Sequence, residues 1–344
     1  MKRLLVFLDR LLFYVLVRLR AIFWRKNKTE EQDLSHYRIG ILMGGESFDR
    51  ETSLFYGREV VKTLLKLGYN AKPIFVNSDP NIINKLKRER INLAFITLNM
   101  GFQKEGSIQA LLEMIDIPYT GPNLLSSSLC LNKLLAKKIF MQEGIPTPNF
   151  LVYNRSETGA FMEEAEKKIK FPVVVKPVNG ATSLGVSFVN TPQELYPAIS
   201  TAEKYDKDIF IEEYLSGLEL TVGVLGNDDP MPLPVMIRES DSRIISFHHK
   251  LSMFAKFDTY HANNIPESEY KLVQKLALKA HKALYCSGLT RVDFRLNHKG
   301  QPFVLEVNAI PIALRGCGLV ESAAICGISY EELLITMLKL ALKK

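Results

Sequence analysis

The stretch RVDFRLNHKGQPFVLEVN, residues 291–308, sets two strand-like runs around a turn. Arg291, Asp293 and Arg295 alternate with Val292, Phe294 and Leu296, the period-two pattern of a strand with one apolar face. Asn297, His298, Lys299 and Gly300 supply the turn chemistry. Closing the turn on Asn297 and Gly300 places Phe303, Leu305 and Val307 on one face of the second strand, and Val304, Glu306 and Asn308 on the other. Asp293 and Glu306 then share a face as diagonal neighbours, within reach of one ligand. Two carboxylates and an amide beside Arg291 suit Mg2+, a hard ion that prefers oxygen donors. An Arg–carboxylate ion pair on a sheet face is the plainer alternative.

Upstream, strand and helix patterns alternate. RIGILMGG (38–45) is an apolar strand ending in glycines, and SLFYGREVVKTLLKLG (53–68) is an amphipathic helix stopped at Gly68. NAKPIFVN and INLAFITLN follow as strands and SIQALLEMID as a helix. This rhythm predicts a parallel sheet covered by helices on both faces. A helix over residues 126–143, the strand FPVVVKPV, a set of hairpins and a helix over 267–284 complete an α/β chain with α+β lobes.

Three further stretches bear on chemistry. KPVNGATSLGVSFV (176–189) is a strand, a Gly/Ser/Thr loop and a second strand, whose N–H groups and hydroxyls can approach phosphate oxygens, with Lys176 supplying a charge. It is not a Walker A loop, and the MGG at 43–45 is not GxGxxG, so an ordinary turn also accounts for it. FIEEYLSGLELTVGVL (210–225) runs from a strand through a hinge at Ser216 and Gly217 to a strand carrying Glu219. A backbone of that kind can hold an adenine and a carboxylate can take sugar hydroxyls, although a surface hairpin with solvated glutamates fits the segment taken alone. Lys133, ahead of a helix, is either a ligand or a solvated lysine.

Composition narrows the class. The chain has 344 residues, 47% of them hydrophobic and 24% charged, enough for two or three lobes with a sizeable core. Residues 1–28 carry eight Lys/Arg against one Asp and so account for the whole net charge of +7. The remainder is balanced, which argues against nucleic acid as a partner. Cys130, Cys286, Cys317 and Cys326 have neither CxxC spacing nor a disulfide framework, pointing to a reducing cytoplasm.

The segment MKRLLVFLDRLLFYVLVRLRAIFWRKNK is too broken by charge to span a bilayer, its longest uncharged run being residues 11–17. On a helical wheel Leu4, Leu8, Leu11, Leu12, Val15, Leu19 and Ile22 share one half, and Arg3, Arg10, Arg18 and Arg25 lie toward the other. That pattern fits peripheral contact with the cytoplasmic membrane face. A helix packed on the protein body or on a partner fits it too. A signal peptide lacks its cleavage site here, and a transit peptide would carry more Ser. Residues 29–37 follow as a polar linker.

The order of these parts is more specific than any one of them. A lysine, a lysine strand with a Gly-rich loop, a hinge with a glutamate, and Asp…Glu-x-Asn succeed one another as in the ATP-grasp ligases. ILMGGESFDRETSL, IPYTGPNLLSSSLCLNKLLAKKIF, FPVVVKPVNGATSLGVS, IEEYLSGLELTV, RVDFRLNHKGQPFVLEVNAIP and AAICGISYEELL resemble, in order, the blocks of the D-alanine–D-alanine ligase family from about Arg38 onward. The resemblance implies an ATP-grasp fold of three lobes: an α/β lobe at 38–125, a central lobe at 126–215 and a C-terminal lobe at 216–344. It implies that Lys133 and Lys176 bind ATP phosphates under a loop containing Ala181, Thr182, Ser183 and Gly185. Glu212, Glu213, Tyr214 and Leu215 would hold the adenine, Glu219 the ribose, and Asp293, Glu306 and Asn308 two Mg2+ ions, with Mn2+ as a substitute. Arg291 would stabilise the transferring phosphoryl group and Lys250 the γ-phosphate. The implied enzyme is a cytoplasmic homodimer that forms a peptide bond through an acyl phosphate in peptidoglycan precursor synthesis.

The departures fall on the amino-acid side. HGxxGEDG in the family is NMGFQKEG here, with Asn99 for the histidine and Lys104 for the first acid. Asp49 replaces a glutamate at the first substrate's amine near Ser53, Thr182 replaces a serine, and Leu251 replaces a tyrosine. After Asn308 the chain continues AIPIALRGCG, so Ile312 stands at the oxyanion position, and Arg315 or Cys317 near the second carboxylate. An amino acid or small peptide is the expected substrate class. A different acid–amine pair, a hydroxy-acid nucleophile and a non-catalytic nucleotide-binding regulator stay open.

Overall fold

The computed structural model describes residues 18–19, 21, 32–45, 50–77, 81–98, 106–180, 183–239 and 258–344. Asp49, Ala181, Thr182 and Lys250 lie outside the described residues, with Asn99, Lys104, Leu251 and most of the segment 1–28.

The first sheet is parallel, in the order β2-β1-β3, built from β1 (Arg38–Gly44), β2 (Asn70–Val76) and β3 (Leu93–Ile96). Central β1 is buried from Ile39 to Gly44, the unbroken apolar run of a parallel strand covered on both faces. Helix α1 (Arg50–Lys66) buries Leu54, Gly57, Val60 and Leu64 at helical spacing, as its sequence predicts. Gly44 and Gly45 adopt positive φ, and the Gly45 N–H reaches the Val76 carbonyl at 2.7 Å. The double glycine thus turns the chain away at the carboxyl end of the sheet. Helices α2 (Ile82–Arg88) and α3 (Ser107–Met114) complete this part.

A single helix over residues 126–143 is not what forms. Helices α4 (Leu124–Leu131) and α5 (Lys133–Gln142) are separated at Asn132, whose backbone is extended and whose side chain accepts the Leu135 N–H at 2.9 Å. The asparagine caps the new helix and leaves Lys133 in its first turn.

The second sheet, antiparallel in the order β4-β7-β5-β6, comprises β4 (Phe150–Val152), β5 (Val173–Pro177), β6 (Ser187–Val189) and β7 (Ile209–Glu213). One face buries Val173, Val175, Ile209 and Ile211 against Phe161 and Ile199, from helices α6 (Thr158–Lys168) and α7 (Leu195–Ala202). The predicted strand–loop–strand is present, with Val173 opposite Val189.

The third sheet runs β11-β10-β8-β12-β13, with β9 paired to β8. Its strands are β8 (Glu219–Leu225), β9 (Met231–Pro232), β10 (Met236–Glu239), β11 (Asp258–His261), β12 (Leu289–Leu296) and β13 (Pro302–Asn308). Leu220, Val222, Val292, Phe294 and Val304 are fully buried in a cluster with Val273 and Ala277 of helix α8 (Glu267–Ala283), which leaves the alternate residues for the other face. Helices α9 (Gly318–Ile325) and α10 (Tyr330–Ala341) close the chain, α10 on a capping box between Ser329 and Glu332. No described helix is long and apolar enough to cross a membrane. All four cysteines are free.

The hairpin differs from its expected register. Pairing runs Leu296–Pro302, Arg295–Phe303 and Phe294–Val304, then shifts by one to Asp293–Glu306, Val292–Val307 and Arg291–Asn308. Leu305 is the extra residue, a β-bulge. Pro302, Val304 and Val307 therefore face the core, while Phe303, Glu306 and Asn308 lie on the face of Asp293. Asp293 and Glu306 stand directly opposite each other rather than diagonally. Counting from an Asn297–Gly300 closure puts Val304 on the wrong face because the turn is one residue longer, the Asn297 N–H reaching the Gln301 carbonyl at 2.9 Å; the bulge then returns Glu306 to the face of Asp293.

Candidate active site

The site is laid out by strand register. On β8, Glu219, Thr221 and Gly223 alternate with the buried Leu220, Val222 and Val224. Arg238 of β10 and Arg295 of β12 pair with Glu219 from either side, and Asp293 pairs with Thr221 on one side and Glu306 on the other. Arg291 follows, between Gly223 and Asn308. Adjacent strands thus bring together charges that lie 76 positions apart in sequence, as Glu219 and Arg295 do.

These positions make specific contacts. Glu219 accepts Arg238 at 3.2 Å and Arg295 at 3.0 Å. Arg295 also donates to the Leu215 carbonyl at 3.0 Å and lies 5.5 Å from the Tyr214 ring centre, so it fastens the hinge to the sheet. Asp293, 4% exposed, accepts two bonds from Arg291 at 2.8 and 2.7 Å and one from the Thr221 hydroxyl at 2.8 Å. Burial would push the Asp293 carboxyl up, but the Arg291 guanidinium, its hydrogen bonds and Arg238 hold it below the usual range. Burial would likewise lower Arg291, and the Asp293 carboxylate more than offsets it. Glu306 faces Lys133 at 3.4 Å, and Lys133 also donates to the Gly180 carbonyl. The Asn308 side-chain oxygen accepts the Ile310 N–H at 3.2 Å.

Across from this sheet, β5 and β7 supply the second wall. Val174 pairs with Glu212 and Lys176 with Phe210, so Lys176 and Glu212 share a face and form an ion pair. Between the two walls lies a cleft of about 850 Å³, counted to its open mouth. Ten of the residues expected from the sequence line it together: Lys133, Lys176, Ser183, Glu212, Glu213, Tyr214, Leu215, Glu219, Asp293 and Glu306. Gly185 turns the loop at φ 71°, where a Cβ would stand 2.8 Å from Pro177 and Tyr205. Arg291 and Asn308 are joined to the cleft through Asp293 and the strand pairing rather than lining it.

The substrate-side positions are more scattered. Ser53 is buried, its hydroxyl accepting the Gly44 N–H at 3.0 Å at the end of β1. Ile312 packs on the apolar cluster of the first sheet. Arg315 pairs with Glu331 and stacks on Tyr330 at 4.3 Å, with 51% of its side chain exposed, and does not line the cleft. Burial raises the Cys317 thiol, and Arg291 lies close enough to oppose that shift. The sequence reading missed Arg295, Arg238 and Leu305 of this site. Period-two alternation marks Arg295 as facing away from the core, but nothing local shows that Glu219 is its partner.

Among the described residues, no three His, Cys, Asp or Glu side chains gather as a metal cluster. A divalent ion here would meet two carboxylates, Asp293 and Glu306, and the Asn308 amide. That hard-oxygen set fits Mg2+, which takes few protein ligands and fills its shell with phosphate oxygens and water.

The family model described as "D-ala D-ala ligase C-terminus" matches residues 139–339. A protein named D-alanine–D-alanine ligase from Carboxydothermus hydrogenoformans is 38% identical over 310 residues, 89% of this chain and 98% of its own. One from Geobacter sulfurreducens is 36% identical, over 88% of this chain and 93% of its own. Among solved structures, the D-alanine–D-alanine ligase of Bacillus anthracis complexed with ATP is similar at a TM-score of 0.77 and 32% identity, covering 89% of this chain and 98% of its own. The VanG D-Ala:D-Ser ligase of Enterococcus faecalis is similar at 0.76 and 25%, covering 89% and 99%. The three-sheet architecture is therefore the ATP-grasp fold expected from the sequence, and the chain belongs to the D-alanine–D-alanine ligase family, whose members form carbon–nitrogen bonds.

Proposed function

We propose that this chain is an ATP- and Mg2+-dependent carboxylate–amine ligase that joins two amino acids of the D-alanine class, in peptidoglycan precursor synthesis. The observation that carries this reading is the single cleft where Lys133, Lys176, Glu219, Asp293 and Glu306 converge from two sheets and one helix. Lys133 and Lys176 offer point charges to phosphate oxygens, Glu219 offers an acceptor to sugar hydroxyls, and the hinge at 213–215 offers backbone groups to an adenine. Loop residues Ala181, Thr182, Ser183 and Gly185 close over the phosphates in this reading. Asp293, Glu306 and Asn308 would hold Mg2+, which would supply positive charge against the nucleotide's phosphates.

A carboxylate oxygen of the first substrate attacks the γ-phosphorus, the bond to the bridging oxygen breaks, and ADP leaves. The amine of the second substrate adds to the acyl carbon of the resulting acyl phosphate. Collapse of the tetrahedral adduct expels phosphate, and the nitrogen loses a proton. Catalysis of this kind is positioning and charge stabilisation, which Arg291 and Lys250 serve. Asp49 and Ser53 are assigned to the first substrate's amine end, and Ile312, Arg315 and Cys317 to the second substrate. Arg315 already spends its guanidinium on Glu331 and Tyr330, which favours, as a second reading, the same chemistry on a different second substrate.

The test is phosphate release from ATP and Mg2+ with single and paired D- and L-amino acids and hydroxy acids. Turnover with D-alanine alone supports the first reading and turnover only with another pair supports the second. Silence throughout would leave a nucleotide-binding regulator. The proposal extends to a homodimer, testable by sedimentation of the full chain, and to peripheral membrane contact through residues 1–28. Leu19, on the apolar half of that segment, is 57% exposed, whereas Ala21 is buried against the first lobe's core.

A further inference from the structure

Behind the cleft lies a lysine that the chemistry above does not use. Lys137 of α5 is fully buried, with 1% of its side chain exposed. Its ammonium donates to the Thr147 hydroxyl at 2.7 Å and the Pro148 carbonyl at 3.3 Å and forms an ion pair with Glu212 at 2.8 Å. Phe150 and Phe210 flank it at 5.3 and 6.0 Å. A charge this deep is costly unless it is paired and hydrogen-bonded, and here it is both.

Its partners reach both walls of the cleft. Glu212 gives its other carboxylate oxygen to Lys176. Thr147 donates in turn to the Val304 carbonyl at 2.9 Å, two residues before Glu306 on β13. Lys133 precedes Lys137 by one helical turn, so α5 presents one lysine to the cleft and buries the other behind it. Burial alone would push the Glu212 carboxyl up, yet Lys137 first and Lys176 second hold it below its usual value, so it stays ionised between two ammoniums.

We propose that Lys137 is a positioning residue of the nucleotide site: through Glu212 it sets where the Lys176 ammonium points. The inference rests on reading the cleft as a nucleotide site. If Lys137 is neutralised, Glu212 keeps Lys176 as its only cation and draws it away from the cleft.

The test is a double-mutant cycle in the full chain, with Lys137→Met, Glu212→Gln and the pair, read by Mg-ATP affinity, by KM and kcat, and by thermal stability. Lys137→Met is expected to weaken ATP binding about tenfold or more while kcat at saturating ATP changes less than about threefold. In the Glu212→Gln background the same substitution should cost no further affinity, although it restores stability by removing an unpaired buried charge. Unchanged affinity in Lys137→Met overturns the proposal, as does a further loss of affinity in the double variant. If Lys137→Met alone does not fold, the comparison of Glu212→Gln with the double variant still decides. Failure of the unsubstituted protein to bind Mg-ATP would instead remove the nucleotide reading itself, and this inference with it.

Discussion

Asp293 faces Glu306 directly across the β12–β13 ladder because Leu305 is squeezed out of the pairing. Without another change of register, that bulge lets Val304 and Val307 both reach the core while Glu306 and Asn308 stay beside Asp293 and Arg291. Cationic neighbours, Arg291 and Arg238 on Asp293 and Lys133 on Glu306, keep the two carboxylates from repelling one another unopposed.

Replacing Glu306 by Gln keeps the shape and removes the charge. Phosphate release driven by amino acids is expected to fall by roughly 100-fold or more. The pair with Lys133 is partly buried but 3.4 Å long, so it contributes about 1 kcal/mol and the melting temperature should move by no more than roughly 4 °C. Full retention of turnover would remove Glu306 from the chemistry.

Deleting Leu305 converts β12–β13 into a regular ladder in which Asp293 still faces Glu306 and Val304 and Val307 still face the core. The chain should fold. Its cleft loses the apolar surface that Leu305 contributes, about 1.4 kcal/mol or more of contact, so ATP affinity should drop about tenfold. An unfolded deletion variant, seen by circular dichroism, would mean the bulge is needed for the sheet's twist rather than for the cleft.

His281 is buried in α8 with its Nδ1 at 2.7 Å from the Thr290 hydroxyl, and burial pushes its imidazole from 6.5 down to about 4. Between those values the unfolded chain binds a proton that the folded chain does not, so stability falls as pH drops through this interval. The expected loss is about 3 kcal/mol between neutral pH and pH 4. Urea titrations should show it in the parent and a flatter profile in His281→Gln. Glu212 and Asp293, held below 4.5 and 3.8, add to the loss only as pH falls past those values. Equal slopes in both proteins would rule out His281 as the source.

Removal of residues 1–28 takes away the whole net charge of +7. Full-length protein should sediment with vesicles containing anionic lipid, less so as salt is raised, and the shortened protein should stay in solution. Persistent co-sedimentation of the shortened protein would place the membrane contact elsewhere.

What the sequence determined by itself was the order of the parts and the residue types in them. Period-two alternation in residues 289–296 and 219–225, helical spacing in α1 and α8 and the glycines after β1 are local signals, and each produced the expected element. Ten site residues named from the sequence meet in one cleft because their faces were legible from that alternation and from the resemblance. The tertiary structure decided the rest. Asn132 breaks a helix that contains neither Gly nor Pro there, through a side-chain bond formed only once the chain turns. The bulge at Leu305 depends on which strands flank it, so counting from the turn cannot find it. Lys137 and Lys138 are adjacent and alike in sequence, yet one is sealed among Glu212, Thr147 and two rings while the other is exposed. A side chain's charge is written in the sequence, but its partner and its depth are set by elements that meet only when the chain has folded.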